Sequence, residues 1–104
     1  MPSLDRGEVW LVDLGMVAKV RPCLVLSVPP AAQDRVLVTL VPHTTSVQGT
    51  RFEVAIPKRF LKPGVFDGQG LVTVATARLI RKLGKLPPSE IALVEEAVKR
   101  WLGL

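Results

Sequence analysis

Arg21 stands directly before Pro22 at the head of an apolar run, and Thr44-Thr45-Ser46 closes another such run. Residues of these types can act on a phosphate. An arginine offers a planar fork of donors that binds phosphate oxygens in pairs and keeps its charge. A neighbouring hydroxyl can hold a further oxygen. Little else is needed if the substrate carries its own nucleophile, as RNA does in its 2′-OH. The protein then has only to orient the chain, stabilise charge on the phosphate and help protons move. Proline keeps the residue before it extended, which favours a fixed Arg21. Both candidates fall at the ends of predicted strands, where sites tend to sit. The same residues also fit a plain structural reading, with Arg21 opening a strand at the surface and Thr44 to Ser46 forming a polar turn.

Other chemistries lack parts. The chain has one histidine, one cysteine and no tyrosine. It shows no His/Asp/Glu grouping with metal-ligand spacing, no glycine-rich phosphate loop and no Gly-x-Ser-x-Gly elbow. No metal and no cofactor is expected. His43 titrates in the range suited to a general base. If its strand continues, however, His43 and Thr44 point to opposite faces, and a packed or surface histidine is the expectation. Cys23 reads as a small core residue, and Trp10 and Trp101 as core or interface residues. Aromatics make up 5% of the chain, which argues against a sheet that stacks bases.

The elements that must carry these residues are mostly strands. Short runs at Glu8–Leu14, Arg21–Val28, Arg35–Pro42 and Phe52–Ile56 are rich in residues that suit a pleated surface. The second is almost wholly apolar, as expected of a strand buried on both faces. A loop falls at Gly15 to Lys19, Pro29-Pro30 ends the second strand, and Lys58 to Gly70 reads as a looser stretch. Gly70–Thr76 is predicted as a fifth strand, and Arg78–Leu86 as a short sixth. After Pro87-Pro88 the period changes: Ile91, Val94, Val98, Trp101 and Leu102 share one helical face. Ser89 is the expected N-cap, Glu95 and Lys99 an i,i+4 pair, and Gly103 the stop. Strands followed by one helix imply a mostly β or α+β domain, a sandwich or small barrel.

The chain has 104 residues, a length expected for one domain spanning 1–104. Its 48% hydrophobic and 22% charged residues give an ordinary globular balance. No run approaches the roughly 20 apolar residues of a membrane span, and no signal peptide pattern opens the sequence. One cysteine allows no internal disulfide, so a cytoplasmic protein is expected. The net charge of +5 is concentrated. Arg51, Lys58, Arg59, Lys62, Arg78, Arg81, Lys82 and Lys85 face only Glu53 and Asp67 in the same stretch. A basic segment of this kind suits a polyanion, nucleic acid first. An acidic protein partner or a merely solvated face would also fit.

Arg6-Gly7-Glu8-Val9-Trp10-Leu11-Val12-Asp13, then Arg21-Pro22-Cys23-Leu24-Val25-Leu26-Ser27, then Val41-Pro42-His43-Thr44-Thr45-Ser46 resemble the three successive motifs of PemK/MazF toxins. Arg78-Leu79 and Leu83-Gly84-Lys85-Leu86, followed by a terminal helix, are similar to the family's ending. The resemblance implies a small SH3-like β-barrel with a C-terminal α-helix. It implies a metal-independent endoribonuclease, the toxin of a type II toxin–antitoxin system, cleaving single-stranded RNA to leave a 2′,3′-cyclic phosphate and a 5′-OH. It casts Arg21 and Thr44 as catalytic, with Arg21 stabilising the phosphorane. RNA contacts are expected from Lys19, Thr45, Ser46, Gln69, Arg78, Arg81 and Lys82. A homodimer and a cognate antitoxin are implied as partners. The loop between Asp13 and Arg21 is shorter than in many members, and Asp67-Gly68-Gln69-Gly70 interrupts an Asp-Gln pair common in the family. The alternative is the same barrel as a non-catalytic module binding nucleic acid or protein, an inactive toxin fold.

Overall fold

The apolar runs around Val9, Leu24 and Val41 become three neighbouring antiparallel strands, and the rest of the fold is arranged about them. A computed structural model describes residues 3–15, 17 and 19–104. The elements are β1 (Glu8–Asp13), β2 (Val20–Val25), β3 (Leu37–Thr44), β4 (Glu53–Val54), β5 (Val65–Asp67), β6 (Val72–Ala75), β7 (Leu79–Lys85) and α1 (Pro88–Leu102). The strands run in the order β4-β5-β3-β2-β1-β7, with β6 also on β3. β3 is shared along its length: Leu37–Leu40 pair with β6, whereas His43 and Thr44 pair with β5. The sheet curls like a small barrel but does not close, since among the described residues β7 pairs only with β1.

Side chains alternate along the three central strands, and both faces are buried. On one face Val9, Leu24 and Val41 pack with Phe66 and Leu86 against Ile91, Val94 and Val98 of α1. On the other, Trp10, Val12, Cys23, Val25 and Leu40 pack with Leu4 and Val38, bordered by Val72, Val74 and Leu79. The β1–β7 ladder shifts register between Val9 and Trp10 and again between Leu11 and Val12. Such bulges bend a strand and increase its twist, which curls the sheet. Cys23 is fully buried, and burial pushes its thiol up to about 12. Among the described residues no helix is long and apolar enough to cross a membrane.

Several boundaries differ from expectation. β2 stops at Val25, because the amides of Leu26 and Ser27 turn to the carbonyl of Thr39. β3 runs past Pro42 to Thr44, carried by its pairing with β5. The expected fourth strand shrinks to Glu53–Val54, and the looser stretch contains β5, only three residues long. The fifth strand starts later, at Val72, after a 3₁₀ turn at Gly68–Gly70. Ser89 is not the cap: α1 begins at Pro88, whose missing N–H and fixed φ suit a first turn, and the Pro87 carbonyl accepts from Glu90 and Ile91. Gly103 ends the helix at φ 73, as expected. Glu95 pairs with Arg6 rather than Lys99, tying the start of the chain to the helix. The expected loop from Gly15 to Lys19 is described only at Gly15, Val17 and Lys19; Met16 and Ala18 lie outside the described residues, as do Met1 and Pro2.

One buried charge stands between the N-terminal turn and the last strand. The Glu8 carboxylate, 5% exposed, accepts from the Asp5 amide at 2.9 Å and the Trp10 indole at 3.0 Å, and meets Lys82 Nζ at 3.0 Å. Burial pushes its pKa up, but the three donors and the charge of Lys82 together outweigh it and leave the group below the usual glutamate range. A carboxyl depressed in the fold contributes stability above its unfolded pKa, about 4.3, and loses it as pH falls through the folded value. Urea midpoints should therefore be insensitive to Glu8 between pH 7 and about 5 and should fall below about pH 4. Glu8→Gln should flatten that acid limb, and an unchanged limb would refute the assignment.

Candidate functional site

β2 and β3 are in register with Cys23 opposite Pro42 and Leu24 opposite Val41. The β2–β3 pairing ends there; the same register extended by two residues would put Arg21 opposite Thr44, which itself pairs with Val65 of β5 on its other side. Arg21 and Thr44 are both half-buried. The Thr44 hydroxyl accepts the amide of Ser46 at 3.0 Å, and its own proton remains available to donate. Gly64 lies so close beneath that a Cβ there would overlap the Thr44 carbonyl. Only glycine lets the segment after Pro57 fold back under this strand end.

The loop after Thr44 is held by a single carboxylate. Glu53 accepts from the amides of Gln48 at 3.0 Å, Gly49 at 2.6 Å and Thr50 at 3.1 Å. These bonds, Gln48 first, hold its carboxyl below the usual range. Thr45 and Ser46 are therefore displayed on a loop tied back at its far end.

An open groove of about 320 Å³ crosses this strand end. Its walls bear Arg21, Thr45, Lys62 and Arg81, with His43 and Phe60, over an apolar lining of Leu11, Val20, Pro22 and Leu83. Three cations and no carboxylate border it, so the groove is suited to an anion. The side chains come from β1, β2, β3 and β7, from Thr45 in the loop after β3 and from the 57–64 segment, whose Phe60 ring lies against Gly84. His43 is packed, 4% exposed, with its ring edge-on to Phe66 at 5.0 Å. Burial pushes its pKa down, so it is neutral at neutral pH.

The structure thus brings Arg21, Thr45 and Arg81 to one groove; Thr44, at the end of β3, does not line it, and exposed Ser46 follows on the loop. Lys19, at φ 55, closes the turn before β2, where its carbonyl accepts from Leu14. The other candidates lie elsewhere. Gln69 is exposed in the 3₁₀ turn, its amide on the Asp67 carboxylate. Arg78 is 3.9 Å from Asp13, and Lys82 holds Glu8. Strand alternation divides the basic run: Arg81 pairs across from Leu11 toward the groove, while Lys82 pairs across from Trp10 on the opposite face. Lys62 and Phe60 were not among the sequence candidates. Lys62 lay in the basic stretch, but no local pattern told that its loop folds over β7. Trp101 is half-exposed and edge-on to Phe52 at 5.4 Å. Among the described residues no three potential metal ligands cluster.

Residues 5–102 match the family described as PemK-like, MazF-like toxin of type II toxin–antitoxin system. The chain is 30% identical to Endoribonuclease MazF9 of Mycobacterium tuberculosis, over 97% of this chain and 98% of that protein. A mycobacterial endoribonuclease solved in complex with its cognate antitoxin superposes with a TM-score of 0.82 at 25% identity, covering 98% and 97% of the two chains. A MazE–MazF structure from Deinococcus radiodurans gives 0.79 at 26% identity, covering 100% and 99%.

The division of cations predicts a contrast in stability. Arg81→Ala should leave the urea midpoint nearly unchanged, within about 0.5 kcal/mol, as for a surface site. Lys82→Ala removes the charge partner of buried Glu8 and should cost roughly 1–2 kcal/mol. The reverse order would contradict the division.

Proposed function

The chain belongs to the PemK-like, MazF-like toxins of type II toxin–antitoxin systems, and from that premise we propose that it is an endoribonuclease acting on single-stranded RNA at the strand ends that carry Arg21 and Thr44. The observation that carries this reading is the groove bordered by Arg21, Lys62 and Arg81 with no carboxylate in its walls. An RNA strand lying there brings its scissile phosphate to Arg21. The 2′-oxygen attacks the phosphorus and gives its proton to water; the bond from phosphorus to the 5′-oxygen breaks, and that oxygen takes up a proton. The products are a 2′,3′-cyclic phosphate and a 5′-OH. Arg21 stabilises the charge that accumulates on the phosphorane oxygens, and the Thr44 hydroxyl donates to one of them. Thr45, Ser46, Arg81 and Lys62 hold the flanking backbone. Lys19, at the lip of β2, extends the basic track.

Related endoribonucleases have been solved with a cognate antitoxin or as MazE–MazF, which supports an antitoxin partner for this chain. An antitoxin covering the basic groove would compete directly with RNA. A homodimer in the cytoplasm completes the reading.

Long unstructured RNA incubated with excess EDTA tests the proposal. Wild-type protein should give discrete fragments with 5′-OH ends. Arg21→Ala and Thr44→Ala should each cut roughly 10²–10³-fold more slowly, the loss seen when one oxyanion donor is removed, with unchanged melting. Intact RNA that is still bound by the wild type would sink the nuclease reading and favour a non-catalytic module.

A further inference from the structure

In the proposed cleavage the departing 5′-oxygen needs a proton, and a side chain can supply it only from within hydrogen-bond reach. The groove offers few candidates. No carboxylate lines it. Arg21 and Arg81 do, but a guanidinium does not give up its proton in a protein. His43 is 4% exposed, packed edge-on against Phe66, and neutral because it is buried. The Thr45 hydroxyl is not an acid of useful strength. Lys62 is left, an ammonium with three protons on a flexible stem.

The fold holds Lys62 at the mouth of the groove. Its segment, 57–64, is anchored at three points. Lys58 Nζ lies 2.7 Å from Glu90 in the first turn of α1, and the Leu61 amide closes a turn on the Lys58 carbonyl at 3.1 Å. The Phe60 ring sits so close to Gly84 of β7 that a Cβ there would overlap it. Gly64 is as tightly placed against the Thr44 carbonyl at the end of β3. In the sheet β1 and β2 lie between β7 and β3. The segment therefore spans the strands between its anchors, β2 with Arg21 included, and Lys62 stands midway between Phe60 and Gly64. Lys62 is exposed and forms no ion pair among the described residues, whereas Lys58 is paired with Glu90. Its ammonium is thus available to a ligand in the groove.

We propose that Lys62 is the general acid of the cleavage, giving the 5′-oxygen its proton as that oxygen leaves phosphorus. The inference rests on the nuclease reading and adds a chemical step to the binding of backbone. The 2′-oxygen bonds to phosphorus and loses its proton to water. The bond from phosphorus to the 5′-oxygen breaks with its electron pair on oxygen. A proton passes from Lys62 Nζ to that oxygen, and the amine left behind recovers one from solvent. Arg21 keeps its charge throughout.

Sulfur in place of the bridging 5′-oxygen tests this, because a thiolate leaves readily without a proton. The cut site is mapped on long unstructured RNA. Two oligonucleotides of that sequence, with oxygen or sulfur at the bridging position, are then cut with enzyme in saturating excess. Lys62→Met removes the ammonium; Lys62→Arg keeps the charge and removes the transferable proton. Each should slow the oxygen substrate about 10²-fold or more, and the sulfur substrate at least about tenfold less than that. Arg21→Ala should slow both substrates alike. Both Lys62 variants should melt with the wild type, since the side chain is exposed. Equal losses on oxygen and sulfur, or a Lys62→Arg that cuts the oxygen substrate normally, would overturn the assignment and leave Lys62 a backbone-binding cation. Full activity in both variants would overturn it as well. A wild type that cuts no RNA at all would bring down the nuclease reading itself, and the assignment with it.

Discussion

β1, β2 and β3 bury side chains on both faces, with Val9, Leu24 and Val41 under the helix and Trp10, Cys23 and Leu40 on the other side. A slip of one residue in any of these pairings would exchange the two sets and send every side chain to the wrong core. Strands solvated on one face tolerate some ambiguity of this kind; these do not. The β2–β3 register that leads to Arg21 is therefore fixed by packing at Cys23, Leu24 and Val25. The catalytic geometry proposed for this strand end is inherited from the core.

Around that fixed point the fold sorts charge by strand alternation. Successive cations on β7 go to different tasks: Arg81 borders the groove, and Lys82 neutralises a carboxylate buried beneath Trp10. The two register shifts of the β1–β7 ladder lie on either side of this pair, between Val9 and Trp10 and between Leu11 and Val12. The loop that displays Thr45 and Ser46 is anchored in a similar economy of means, by one glutamate on three successive amides. Its neighbour, the 57–64 segment, is seated where glycines at 64 and 84 allow close approach to Thr44 and Phe60.

Much of this was legible in the sequence, and its limits have physical causes. The three central strands and the helix announce themselves because long apolar runs and a helical period are local signals. Arg21 was singled out because a proline follows it and Thr44 because it closes a strand; of the two, the structure puts Arg21 in the groove wall. β5 was missed because three residues between Pro63-Gly64 and Gly68 carry too little pattern to mark a strand. The helix start moved from Ser89 because a proline in the first turn needs no side-chain cap. Glu95 found Arg6, 89 positions away in sequence, which no i,i+4 rule could indicate. Lys62 and Phe60 joined the groove for the same reason: their loop reaches the site only through tertiary contacts.

The groove draws its walls from both ends of the fold, with Leu11 on the first strand and Arg81 and Leu83 on the last. Pairings between such distant segments form late, since closing the intervening loop must precede the contacts that repay it. During synthesis a chain lacking β7 has Arg21 and Thr44 but no completed basic wall beside them. A ribosome making this protein thus carries an incomplete site until the seventh strand emerges and pairs with the first. The order of strands in the sheet delays completion of the groove until the last strand is made.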